Sequence, residues 1–508
     1  MNRTMKEKIK VCLHDVNIFR KYGFTSFCKE IENRQFHETP DIETIRKTHI
    51  IPEDELDAQR NHVFQRGIKF SIITPLYNTP NKYLVEMLES LRNQTYANWE
   101  LCLADGSDGE HSYVGEVCRQ YQKEDSRIKY KILKENKGIS ENTNECMKLA
   151  SGQYYGLLDH DDVLHPSALF EVMSTIEEQQ ADFIYTDEVK FSGSINDINS
   201  PSAFNFKPGF GKYDLQSHNF ICHFTVFSRE LLKGEKQFYR SEYDGSQDHD
   251  MVLRLTEKAE NIVHIPKVLY YWRLHSNSVS QDLNSKNYAV DAAIRAVTSQ
   301  LERTGEKGIV KSNLPFLTIY RIEYEIKGQP LVSIVLHGSK RASDIEKSIV
   351  KILENTDYRP IEFIYESKGD IKLKVPEGIK ITHIEHIYDL PKGKLWNQMI
   401  ETSQGDYIIL FDTKSVPLNR EWLQEMLMLC QREDVGVVGP KISYRDGRIA
   451  YAGGALWRNE KNKVKIIGRH DKNSDMGYEA LLCHVRNTTW TVAACMMFSK
   501  LIWEDVGG

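Results

Sequence analysis

Between residues 70 and 187, short apolar runs that close on an acid alternate with stretches whose apolar residues fall at helical spacing. Phe70-Ser71-Ile72-Ile73-Thr74-Pro75-Leu76-Tyr77 reads as a strand stopped by the turn Asn78-Thr79-Pro80. From Lys82 to Asn93, the residues Leu84, Met87, Leu88 and Leu91 share one helical face. Trp99 to Asp105 is the next strand, turned by Gly106-Ser107-Asp108-Gly109. A helix (Val114 to Lys123), a strand (Arg127 to Leu133) and a helix (Ile139 to Ala150) follow. Gly152 to Asp159 is a further apolar run, and Asp161 and Asp162 come directly after it. Ala181 to Asp187 is a fifth strand with an acid at its end. Strand and helix alternating at this spacing predict right-handed βαβ units and a mostly parallel sheet, hence an α/β fold.

In open α/β sheets, ligands sit in the crevice past the carboxyl ends of the strands. Asp105, Asp159, Asp161 and Asp187 are therefore expected along one rim. One acidic strand end is commonly a solvated turn. Four on one rim favour a cleft for a hard divalent cation, which takes oxygen ligands and shares them with phosphates.

Composition narrows the partners. With 508 residues, 40% hydrophobic and 27% charged, the chain is ordinary globular material with room for two or three domains. The net charge of -6 and the lack of a basic stripe exclude nucleic acid as an expected partner. Nine scattered cysteines form no Cys-x-x-Cys pair, so neither a zinc site nor a disulfide framework is expected. Reduced thiols fit a cytoplasmic location. Met1 to Lys10 is polar and lacks the apolar core of a signal peptide. No apolar run approaches the ~18 residues of a membrane span, although peripheral contact at the inner face of a membrane leaves little trace in sequence. Residues 1–66 read as a helical or irregular extension, with a helix start at Pro52-Glu53-Asp54-Glu55.

Six pieces in order resemble family 2 glycosyltransferases of the GT-A fold. They are Ser71-Ile72-Ile73-Thr74-Pro75-Leu76-Tyr77-Asn78, Ala104-Asp105-Gly106-Ser107, Asn136-Lys137-Gly138-Ile139-Ser140, Leu158-Asp159-His160-Asp161-Asp162, Gly245-Ser246-Gln247-Asp248 and Tyr271-Trp272-Arg273-Leu274-His275. Each alone is weak, but the ordered set is specific. It is most similar to bacterial transferases that build rhamnose-rich or other surface polysaccharides. The resemblance implies that Asp105 accepts a hydrogen bond from a pyrimidine, with Thr74, Pro75 and Tyr77 walling the base. It implies that Asp159 lies near the ribose and donor sugar, and that Asp161 binds Mg2+ or Mn2+ on the diphosphate. Asp248 is then the general base, and His275 approaches the metal or diphosphate. The implied donor is a UDP- or dTDP-linked sugar, and the implied acceptor is a glycan or lipid-linked glycan.

The chemistry asks for the same residue types. Negative charge builds on the departing diphosphate, and a bound cation neutralises it. A carboxylate must also reach the acceptor hydroxyl from the opposite face. Direct displacement of this kind inverts the anomeric centre. Asp244 and Asp250 compete with Asp248 as base, and Asp248 or Asp244 could simply cap a helix. His275 reads equally as a surface histidine. Arg273 suits either a phosphate or an exposed acid. His160 is expected to point to the face opposite its neighbours, and His223 to be a strand residue near the acceptor.

Residues 67–304 thus form an expected catalytic domain, and 305–329 a connector with one strand-like piece. Residues 330–508 repeat the pattern as a second, incomplete GT-A-like domain. Leu331 to Leu336, Ile361 to Tyr365 and Gly405 to Asp412 repeat the first, second and fourth strands. Counted from Gly405 as from Gly152, Asp412 matches Asp159 and Lys414 matches Asp161. An ammonium cannot bind a cation. The counterpart of Asp105 falls at Glu366 or Ser367. One reading makes this domain a non-catalytic relic; the other has Lys414 supply charge to a diphosphate without metal. Two other functions compete for the whole chain. A sugar nucleotidyltransferase usually carries a glycine-rich phosphate loop after its first strand, and Pro75 to Pro80 holds no glycine. A carbohydrate-binding scaffold would not need the acids Asp105, Asp159, Asp161 and Asp248.

Overall fold

The computed structural model describes residues 44, 47–198, 203–275, 287–369, 372–386, 390–457 and 463–508. The expected extension over residues 1–43 lies outside them, and of the remainder the helix Glu53–Arg60 is described, with acids in its first turn after Pro52. The chain forms two compact units. One takes in the described residues up to Thr304, with Val310–Arg321 and His484–Arg486. The other holds Gly305–Ile309, Ile322–Cys483 and Asn487–Gly508.

The first unit is built on one sheet of β1 (Phe70–Leu76), β2 (Trp99–Asp105), β3 (Ile128–Ile132), β4 (Tyr154–Leu157), β5 (Val163–Leu164), β6 (Phe183–Phe191), β7 (Phe204–Asn205), β8 (Thr225–Ser228) and β9 (Ile262–Arg273). Its order is β3-β2-β1-β4-β8-β6-β9-β5, with β7 on β6. β1 runs parallel to β2 and β4, as the alternation requires. Both β1 and β2 are buried along their whole length, which is why they read as continuous apolar runs. Leu84, Met87, Leu88 and Leu91 of the helix Asn81–Arg92 pack in the same core as Phe70, Ile72, Leu101 and Leu103. The sheet is rich in parallel pairs, as expected, with β8 inserted antiparallel between β4 and β6.

Asp187 is not on the rim. β6 continues past it to Phe191, since residues 188–191 go on pairing with β9. Asp187 is buried in mid-strand, where it accepts the Lys207 backbone N–H at 2.8 Å and pairs with His264 Nε2 at 2.7 Å.

A polar strut ties the amino ends of β1, β2 and β4. Ser71 Oγ donates to Glu100 Oε1 at 2.7 Å and accepts the Gly152 N–H at 2.9 Å. Lys129 Nζ lies 2.8 Å from Glu100 Oε2, and Lys69 also pairs with that carboxylate. A Cβ on Gly152 would stand 2.5 Å from the Lys69 carbonyl oxygen, so only glycine fits there. Burial alone would raise the Glu100 carboxyl, but the two lysines, Ser71 and the Ser151 N–H outweigh it and hold it at about 2.

The second unit repeats this plan. In the connector, a hairpin of β10 (Gly308–Asn313) and β11 (Phe316–Tyr324) replaces the one strand the sequence suggests. β12 (Val332–His337), β13 (Ile361–Ser367), β14 (Lys380–Glu385), β15 (Tyr407–Asp412) and the strand Cys495–Ser499 then form a sheet. Its order is β14-β13-β12-β15, then Cys495–Ser499, which is antiparallel to β15. This matches β3-β2-β1-β4-β8 in order and direction. The strut recurs as well: Ser333 Oγ donates to Glu362 Oε1 at 2.7 Å and accepts the Gly405 N–H at 2.9 Å.

Candidate active site

Asp105 closes β2 beside Leu76 of β1. Its Oδ1 accepts the Ser107 N–H at 2.9 Å, and its Oδ2 accepts the Tyr130 hydroxyl at 2.7 Å. Each carboxylate oxygen keeps a second lone pair, so the group can still accept from a ligand. Burial and the bond to Asp105 both push the Tyr130 phenol up, which keeps it a donor. Thr74 and Pro75 are enclosed within β1, whereas Tyr77, just past it, is exposed.

The acidic loop after β4 is held by β9. β5 pairs antiparallel with β9, Val163 opposite Tyr271, and so lays residues 159–162 against the end of that strand. The Tyr270 hydroxyl accepts the Asp159 N–H at 3.2 Å and donates to Asp162 Oδ2 at 2.6 Å. The Arg273 N–H donates to Asp162 Oδ1 at 2.7 Å. Arg273 Nε donates to the Asp161 carbonyl at 2.7 Å, and Nη2 pairs with Glu86 at 2.5 Å. Its guanidinium lies over the Tyr83 and Phe191 rings, at 4.4 and 4.6 Å. Arg273 is therefore a buried clamp on the loop with an acid for its partner.

Two residues past the end of β9, His275 Nε2 lies 2.7 Å from Asp161 Oδ2. His160 turns away from this pair, and its Nδ1 meets Thr79 Oγ1 at 3.0 Å. Asp159 is half exposed at its tip, with His223 Nε2 4.0 Å from its Oδ2. Desolvation by the surrounding protein raises its carboxyl; His223 opposes this, and the nearby charges of Asp161 and Asp248 add to it. Burial, with Asp159 and Asp161 beside it, raises the Asp162 carboxyl well above its ordinary value.

Asp248 lies in the first turn of the helix Gln247–Thr256. Its Oδ2 accepts from Cys222 Sγ at 2.8 Å and from Asn219 Nδ2 at 3.1 Å. Its two competitors are committed elsewhere. Asp250 is fully buried between Arg240 and Arg254, whose Nε atoms each donate to it at 3.0 Å. Asp244 accepts from Ser140 Oγ. His223 is not a strand residue. It precedes β8 with φ 53°, stacks on Tyr270 at 4.9 Å and faces Asp159. Nothing in its sequence neighbourhood marks that role.

Asp161 and His275 offer a carboxylate oxygen and an imidazole nitrogen side by side. Among the described residues, no third acid, histidine or cysteine completes a ligand set with them. These two are the residues that could hold a divalent ion, with waters and substrate phosphates filling the rest of its shell.

Residues 71–234 match the model of glycosyl transferase family 2. The chain carries a family 2 glycosyltransferase domain. An uncharacterized protein, y4gI, of Sinorhizobium fredii is 34% identical over 460 residues, which is 87% of this chain and 49% of that protein. The O-antigen biosynthesis protein RfbC of Myxococcus xanthus is 27% identical over 86% of this chain and 34% of its own length. Chondroitin synthase of Escherichia coli is 30% identical over 47% of this chain and 33% of its own. The chain thus spans half or less of the length of these relatives. The glycosyltransferase domain has the GT-A fold, and the resemblance is confirmed at the level of family, the matched residues holding the first four of the six motifs.

The second unit keeps the strut, and Asp412 and Lys414 stand where Asp159 and Asp161 do. Glu362 takes the place of Glu100, so Ser367, not Glu366, stands where Asp105 does. The Lys414 N–H donates to Asp412 Oδ1 at 2.9 Å, and the Lys414 side chain is exposed.

Proposed function

We propose that the first unit transfers a sugar from a UDP- or dTDP-sugar to a hydroxyl of a growing bacterial surface polysaccharide, with inversion at the anomeric carbon. The observation that carries this is the pairing of Asp161 Oδ2 with His275 Nε2 at 2.7 Å, beside an Asp159 that lies near enough to both Asp161 and Asp248 to be raised by their charge. Asp105, fixed by Tyr130 and Ser107, would read the imide N–H of a uracil or thymine. Tyr77, Thr74 and Pro75 would bound the base, and Asp159 would lie by the ribose and donor sugar. Asp161 and His275 would hold Mg2+ or Mn2+, whose charge stabilises the departing diphosphate. Asp248 would take the acceptor proton as the glycosidic bond breaks.

Relatives named for O-antigen biosynthesis and chondroitin synthesis support a polysaccharide product. The acceptor would be a glycan or lipid-linked glycan met at the cytoplasmic face of the membrane. No described helix is long and apolar enough to cross a membrane, so such contact would be peripheral. Residues 330–508 would be a non-catalytic domain that positions polymer or partner. The test is turnover of a panel of UDP- and dTDP-sugars with and without Mn2+, followed by release of nucleoside diphosphate and the configuration of the product. Metal-independent turnover, or product with the donor's anomeric configuration, would overturn the mechanism.

A further inference from the structure

Asp248 is oriented by residues outside its own helix. Its Oδ2 takes both the Cys222 thiol at 2.8 Å and the Asn219 amide at 3.1 Å. Cys222 itself sits in a stretch, residues 221–224, that belongs to neither helix nor strand. Backbone carbonyls there have no ladder partners, and buried ones must find donors elsewhere. Lys207 supplies them. Its fully buried Nζ reaches the Ile221 carbonyl at 3.4 Å and also donates to the carbonyls of Cys222 and His223. Glu188 Oε2, at 3.1 Å, balances the buried charge. Lys207 is fixed in turn through its N–H to Asp187, which His264 holds from β9. An unbroken chain of contacts therefore runs from β6 to the carboxylate of Asp248.

We infer that Cys222 is a positioning residue for sugar transfer: from a backbone pinned by Lys207, its thiol fixes the Asp248 carboxylate so that Oδ1 faces the acceptor hydroxyl. The inference rests on Asp248 being the general base. Burial and the neighbouring Asp248 push the Cys222 thiol well up, so it stays protonated and remains a donor. The same clamp sets His223 beside Asp159, in a left-handed conformation that a non-glycine residue keeps only when its surroundings impose it.

The experiment compares Cys222→Ala, Cys222→Ser and Asp248→Asn in the full chain, with kcat and donor KM measured separately. Alanine removes the donor at little cost in volume. It should lower kcat by about 10- to 100-fold, the scale of a catalytic group displaced by about 1 Å, with donor KM within about two-fold. Serine keeps a donor in the same place and should restore most of that loss. A merely structural cysteine would show neither the kcat-only loss nor the rescue. Wild-type kcat in Cys222→Ala, or Cys222→Ser as slow as Cys222→Ala, would overturn the inference. If Asp248→Asn is inactive while Cys222→Ala is normal, only the positioning role falls. If Asp248→Asn turns over normally, the base assignment falls first.

Discussion

Asp161 and His275 are 114 residues apart in the chain, yet Oδ2 of one and Nε2 of the other lie within 2.7 Å. Among the described residues they belong to no group of three or more acids, histidines or cysteines that could hold a metal by themselves. Metal affinity should therefore depend on both side chains and on a bound diphosphate. His275→Ala and Asp161→Asn should each weaken Mn2+ binding in the presence of UDP by about 10-fold or more. Calorimetric titration of Mn2+ with and without UDP measures this. Unchanged affinity in either variant would remove that residue from the metal site.

Two acids on one helical turn should separate cleanly. Asp248→Asn should keep UDP affinity and lose about 10²- to 10⁴-fold in kcat, the contribution of a positioned base. Asp250→Asn takes the carboxylate from Arg240 and leaves the buried Arg254 with Glu235 alone, and should cost roughly 3 kcal/mol of stability. Thermal melts alongside kinetics tell the two apart. A normal melt for Asp250→Asn would show that its ion pairs contribute little.

The Glu100 strut predicts an acid limb in stability. Its carboxyl is held at about 2 in the folded chain, below its value when unfolded. A depressed acid stabilises the fold above the unfolded value and loses that contribution as pH falls toward the folded one. The window is therefore about pH 4.5 down to 2, and the contribution at neutral pH is on the order of 3 kcal/mol. Glu100→Gln should be less stable at pH 7 and should lose less stability than wild type between pH 5 and 3. Urea midpoints across that range decide it; parallel curves for the two proteins would exclude the strut as the source.

Lys414→Ala and Asp412→Asn should leave transfer unchanged, with kcat and donor KM within about two-fold of wild type, since neither residue belongs to the first unit's acids and most surface substitutions have small effects. A loss of 10-fold or more in either would mean that the second unit contributes to donor binding.

The strands and the amphipathic helices could be read from the chain because each reports its own burial. β1 and β2 are apolar throughout because both their faces are covered, and Leu84, Met87, Leu88 and Leu91 repeat at the spacing of one helical face. The pairing of Asp161 with His275 was accessible through family resemblance alone, since strand pairing between β5 and β9 brings them together. Asp187 misled because an acid after an apolar run looks the same at a strand end and in a strand that continues. What disguised it was its partner, His264, which lies on another strand. Cys222, His223 and Lys207 carry no local pattern: each is placed by a loop whose shape depends on residues distant in the chain.

In both units the Ser–Glu–Gly strut grips the strands at the end opposite the acids. Ser71 and Ser333 are each second or near second in their strand, whereas Asp105, Asp159 and Asp412 come at or past the close of theirs. Cohesion and reactivity therefore occupy separate poles of the same sheet. A half whose residues change at one pole can stay folded through the other, which leaves the changed pole free to drift toward a different guest.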